Sequence, residues 1–195
     1  GRESRQGPTS TMLRNYRLIV LLSGKRETQI LGPVADRGQN DVQLLQEFGT
    51  LPGGSPQPRG MWFTGSGFGE LEAAGHPAVL QNYLRAGVRS RDYIAFSGGN
   101  LNPSVVFTVP TLGFPSKDLG LRSNSHDVFS VITTTPAGQG FGFYENVGAQ
   151  GPYVGSVYGP NSGGVRPIIT LLDGFDLADL GSVGNMNTSG RQRYV

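Results

Sequence analysis

The chain has 195 residues, enough for one domain with a sizeable core, and no cysteine, which excludes thiolate nucleophiles, disulfides and cysteine-based metal sites. Its 31 glycines and 13 prolines predict long, turn-rich loops, while 36% hydrophobic residues gathered into apolar runs argue for a folded chain. The net charge is +2 with no basic stripe interleaved with aromatics, and no apolar stretch is long enough to span a membrane, so neither nucleic-acid binding nor membrane insertion is expected.

Residues 1–15 are polar, charged and without periodicity, and read as a flexible arm or linker before a single domain over 16–195. The chain starts at Gly1 and shows no signal peptide, so it is expected to be part of a longer polypeptide. The apolar run Leu18–Leu22 predicts a first strand over 17–22, ending in Ser23-Gly24. A glycine-containing loop over 23–39 leads to a helix capped near Asn40-Asp41, with Val42, Leu44, Leu45 and Phe48 at helical spacing and Gly49 as its stop. Residues 50–60 form a proline-rich turn into a second strand, Met61–Thr64, which runs into Gly65-Ser66-Gly67-Phe68-Gly69.

A second helix is predicted over 76–86, with His76 as its cap, Pro77 at its first position and Gly87 at its end. Asp92–Phe96 is read as a short strand. Beyond residue 100 the pattern turns to strands at 105–109, 128–134, 153–158 and 167–172, with almost no helix. The fold class is therefore α/β: a mainly parallel sheet flanked by helices in the N-terminal half, its strands buried on both faces, then a β-rich and loop-rich C-terminal half. In such sheets, chemistry gathers where the strands end.

The glycine turn Gly65, Gly67, Gly69 follows a strand, as a nucleophile elbow does, but its centre is Gly67, and Ser66 stands one residue out of register. As a phosphate cradle it has the wrong spacing, with Glu70 close by. Asp173 and Asp176 after the strand 167–172, together with Glu70, offer oxygen ligands for a divalent cation, and equally Asp173 or Asp176 can cap a short helix through Leu177, Ala178 and Leu180. A catalytic set Ser66, His126 and Asp173 can be written down, with His126 in a polar loop, Ser123–Asp127. Trp62, Tyr153 and Tyr158 offer stacking faces for a carbohydrate or another ligand, or fill the core.

Taken together, Arg17–Gly24, the helix at 41–48, the strand and turn Gly60–Gly69 and the helix ending Asn82-Tyr83-Leu84 resemble the class I glutamine amidotransferase-like fold. Tyr153–Tyr158 followed by Pro167–Phe175 is similar to the closing strand pair of such domains, in the divergent form found in large secreted bacterial proteins. Amidotransferases hold a cysteine at the centre of the turn, with His and Glu partners later. Here that centre is Gly67, so the resemblance implies the scaffold and an extracellular or cell-surface setting, not the activity.

The expectation is a non-catalytic structural or interaction domain with no cofactor, engaging protein partners or copies of itself. The alternatives are a hydrolase using the strand-end acids and a carbohydrate- or ligand-binding module.

Overall fold

The computed structural model describes residues 8–25, 30–31, 41–50, 59–90, 104–107, 118–121, 126–134, 136–145, 153–161 and 168–181. Besides a 3-10 turn at Leu177–Asp179, four helical segments are present among them: α1 (Ser10–Leu13), α2 (Asp41–Thr50), α3 (Phe68–Gly75) and a π-helical turn, α4 (Val79–Leu84). Ten strands accompany them: β1 (Leu18–Leu22), β2 (Arg59–Thr64), β3 (Ala86–Ser90), β4 (Ser104–Phe107), β5 (Asp118–Leu121), β6 (Val128–Val131), β7 (Gln139–Glu145), β8 (Tyr153–Asn161), β9 (Ile168–Asp173) and β10 (Leu180–Gly181). The architecture is a mixed sheet with helices, an α/β arrangement.

The strand order is β1-β2-β9-β8-β7-β4-β5-β10, with the β3–β6 ribbon joined to β8 at Phe129 and Val154. Only β1–β2 and β2–β9 are parallel pairs among the described residues; the other pairings are antiparallel. The third parallel strand, β9, thus comes from the C-terminal half, and the two halves form one sheet. Register shifts interrupt β7–β8 between Gly140 and Phe143, as β-bulges do where a strand must twist.

One face of the parallel strands carries the larger core. Met61 and Phe63 of β2 and Ile168 and Leu172 of β9 pack with residues from all four helices: Leu13, Leu45, Phe48, Phe68, Leu80 and Leu84 among them. Burying side chains of this size contributes about 1.5–3 kcal/mol each, which is what holds short helices of modest propensity in place. Arg59 locks α2 to the start of β2: its guanidinium lies 4.9 Å from the centre of the Phe48 ring and donates to the Phe48 carbonyl at 2.7 Å. A second core on the opposite face joins Phe141, Tyr144, Tyr153, Phe175 and Leu180, with Trp62, Leu171 and Tyr158 packed against it.

That second core stops short of β1. The row Val20, Trp62, Leu171, Tyr158 runs across four strands in register, yet Leu18, Val20 and Leu22 remain 53%, 43% and 67% exposed. The expectation of strands buried on both faces fails at β1, because α1, α2, α3 and α4 all pack into the core on the other face.

Three further differences from the sequence reading have local causes. Residues 10–13, expected in an arm, form a helical turn because Thr9 caps it from its side chain and Leu13 is buried against the larger core. Phe68–Gly75 is helical, although the sequence suggested only a glycine turn there. The helix predicted over 76–86 does start at Pro77, but it widens into a π-helical turn over 79–84 and is closed by Arg85 in the left-handed conformation (φ 57°) rather than by Gly87. The Arg85 guanidinium bonds the carbonyls of Gln81 and Thr134, which holds a non-glycine residue in that strained region. The predicted strand at 92–96, residues 1–7 and the turn at 51–58 lie outside the described residues.

Candidate functional site

In the parallel part of the sheet, Leu22, Thr64 and Asp173 stand level at the strands' carboxyl ends, and Ser156 of β8 completes the row. Ser23 donates from its backbone N–H to the Thr64 carbonyl at 2.9 Å and from its hydroxyl to the same oxygen at 3.2 Å. Thr64 Oγ1 donates to the Phe175 carbonyl at 2.8 Å, so the exits of β1, β2 and β9 are tied together. Gly65 leaves β2 at φ 152°, and a Cβ there would overlap the Ser23 hydroxyl, so only glycine fits.

The turn then delivers α3. Its N-cap is Gly67, left-handed at φ 84°, which has no side chain with which to satisfy the helix's first N–H groups. The cap comes from a distant segment instead: Asp127 Oδ2 accepts from the Gly69 N–H at 2.7 Å. Gly69 allows that approach, because a Cβ there would press on the Phe129 ring and the Asp127 carboxyl. Negative charge is favoured at a helix N-terminus, which offsets only part of the cost of burying a carboxylate in this position.

Asp127 sits in a hub of four chain segments. Its N–H donates to the Gly174 carbonyl at 2.8 Å, its carbonyl accepts from the Tyr144 hydroxyl at 2.9 Å, and its carboxyl reaches α3. Oδ1 is buried without a hydrogen-bond partner. Burial pushes the carboxyl up to about 7, with the Glu70 charge adding to the rise and the backbone N–H groups of Gly69, Glu70 and Gly67 opposing it.

His126 lies beside it, not in an exposed polar loop as the sequence suggested. Its ring is fully buried, stacks on Tyr144 with 5.9 Å between centroids, and places Nδ1 3.3 Å from Ser66 Oγ. The structure therefore brings together Ser66 and His126, sixty residues apart in sequence. Both are sealed from solvent, with 1% and 0% exposure. Asp173 is also fully buried, and its carboxylate accepts from the Trp62 indole at 2.7 Å and from the Ser156 hydroxyl at 2.7 Å.

The other sequence candidates are placed as follows. Asp176 caps the 3-10 turn Leu177–Asp179 by accepting from the Ala178 N–H at 2.9 Å. Glu70 lies in the first turn of α3. No group of three or more acidic or histidine side chains able to hold a metal ion occurs among the described residues. Tyr153 is buried in the second core under the Arg89 guanidinium, so it presents no open stacking face, whereas Trp62 and Tyr158 are half-buried on one sheet face. His76 both closes α3 and precedes the next helical residues: its N–H donates to the Glu72 carbonyl, its carbonyl accepts from the Val79 N–H at 3.0 Å, and Nε2 lies 3.2 Å from the Leu31 carbonyl.

Two buried acids escaped sequence reasoning. Asp127 was visible only as the polar residue before a strand. Glu72 stands in α3 with Oε1 accepting from the N–H groups of Ile30 and Leu31 at 2.8 and 3.1 Å, pinning the segment after β1. A charged residue on the inner face of an otherwise apolar helix is the one signal the sequence offered for it.

Chemically, the arrangement holds a serine–imidazole pair beside a helix N-terminus, with both side chains buried. Among the described residues, no helix is long and apolar enough to cross a membrane. In comparisons with protein-family models, with curated proteins and with solved structures, nothing matches this chain.

Proposed function

We propose that the chain is a non-catalytic structural or interaction domain of a secreted or cell-surface protein, on a scaffold similar to the class I glutamine amidotransferase-like fold. The observation that carries this reading is Gly67. It occupies the left-handed position between β2 and α3, where the resembled family keeps its nucleophile, and it has no side chain. The polar groups around the turn are spent on structure: Ser23 and Thr64 tie strand exits, Asp127 caps α3, and Asp173 holds Trp62 and Ser156.

The exposed apolar stripe Leu18, Val20 and Leu22, with Tyr16 and Met12 nearby in sequence and also exposed, supports contact with protein rather than with water alone. The test is the native mass by size-exclusion chromatography with light scattering, on the chain and on Val20→Lys. An assembly that Val20→Lys dissolves is the expected result. A monomer of 20.7 kDa at every concentration would remove self-association from the proposal.

A hydrolase is the second reading, and one observation favours it: the 3.3 Å approach of Ser66 Oγ and His126 Nδ1. A fluorophosphonate probe separates the two readings. Labelling lost in Ser66→Ala would establish the hydrolase, and an unlabelled protein supports the non-catalytic domain.

A further inference from the structure

We propose that the His126-Asp127 segment is a pH-dependent latch on the N-terminus of α3, gripping harder in mildly acid solution than at neutral pH. The proposal goes beyond the interaction-domain reading and does not depend on it.

The geometry is that of a clasp. Two consecutive residues reach from the start of β6 to the β2–α3 turn, His126 onto Ser66 and Asp127 onto Gly69. The grip is tertiary, because Gly67 supplies no cap of its own and α3 would otherwise begin with unsatisfied N–H groups. Ser66 and His126, which meet at this clasp, are both buried in the closed state.

Asp127 makes the grip depend on protonation. Its carboxyl has one oxygen bonded and one, Oδ1, buried with no partner, a state that suits a neutral acid better than an anion. Around it stand Glu70 from α3, His126 from its own segment, the Tyr144 phenol from β7 and Asp173 at the end of β9, one residue before the Gly174 carbonyl that accepts the Asp127 N–H.

The sign follows from the two states. In the closed latch the carboxyl keeps its proton up to about 7, whereas released into water it returns to the ordinary 3.8 of an aspartate. Opening therefore sheds a proton between those values and becomes about tenfold easier per pH unit within that window. Above about 7 both states are ionised and the dependence levels off.

Amide hydrogen exchange of the full chain reads this directly. Gly69 should lose about a hundredfold of its protection factor between pH 5 and pH 7 and change little above. The Ser23 amide, bonded to Thr64 at the strand exits, belongs to the sheet rather than the latch, so its protection factor should exceed that of Gly69 at every pH. Asp127→Asn should abolish the fall, and His126→Gln should leave it. A flat Gly69 profile, a Ser23 protection factor no higher than that of Gly69, or a fall abolished by His126→Gln would each overturn the latch. If Asp127→Asn does not fold, the wild-type profile and His126→Gln decide by the same criteria.

Discussion

Two regions of this molecule treat polarity in opposite ways. At the carboxyl ends of β1, β2 and β9, where open α/β sheets present reactive groups to solvent, Ser66, His126, Asp127 and Asp173 are buried. Along β1, where such sheets bury apolar residues under a helix, Leu18, Val20 and Leu22 face outward. The polar end is closed and the apolar edge is open. A surface that hides its hydrogen-bonding groups and shows leucines is suited to docking rather than to turnover, and this contrast supports the interaction reading more than either region alone.

The largest effect that can break the comparison lies at Gly65. A methyl group there meets the Ser23 hydroxyl while the backbone is held at positive φ, so Gly65→Ala should cost roughly 4 kcal/mol or more. Urea unfolding would measure it, and a loss under about 1 kcal/mol would mean that the strand exits are looser than their hydrogen bonds imply.

Next comes Asp127→Asn, compared with the wild type across pH. A carboxyl held at about 7 when folded and 3.8 when free stabilises the fold fully below 3.8 and loses that advantage as pH rises through 7. The variant should be the more stable protein at pH 8 by up to about 4 kcal/mol, and the difference should vanish near pH 4. A constant difference at all pH values would assign the effect to packing.

Ser66→Ala removes one buried hydrogen bond and leaves an imidazole nitrogen short of a partner. About 1–2 kcal/mol should be lost in thermal unfolding. Unchanged stability would mean that the serine and imidazole are neighbours without a bond.

The smallest effect on stability is expected at the open edge. Leu22→Lys removes a side chain that is 67% exposed, and should change folding free energy by no more than about 0.5 kcal/mol while altering the native mass. A large loss of stability would show that Leu22 is covered in solution and that the contrast drawn above fails.

The sequence made the strand-forming runs legible, because Leu18–Leu22, Met61–Thr64 and Ile168–Leu172 are short, apolar and bounded by turn residues. It could not show that β9 returns to lie beside β2, a pairing between residues more than a hundred apart. The helix α3 was hidden because its cap lies at Asp127, outside any local window, and Phe68-Gly69 reads as part of a turn. The short strands β3 and β5 contain glycine and charge and owe their conformation to ladder partners rather than to propensity, whereas β4, with Val105, Val106 and Phe107, falls within the strand expected at 105–109. Of the candidate site, Ser66, His126 and Asp173 were all named, yet their burial was not, since a polar loop and a buried hub share the same composition.

The pairing of Trp62 with Asp173 has a spectroscopic consequence. The chain has one tryptophan, and its indole N–H is bound to a buried carboxylate on the neighbouring strand. Its emission therefore comes from a single site at the seam between β2 and β9, free of overlap from other indoles. A red shift marks the moment that seam admits water. The protein carries its own fluorescent gauge for whether the N-terminal and C-terminal halves are still joined.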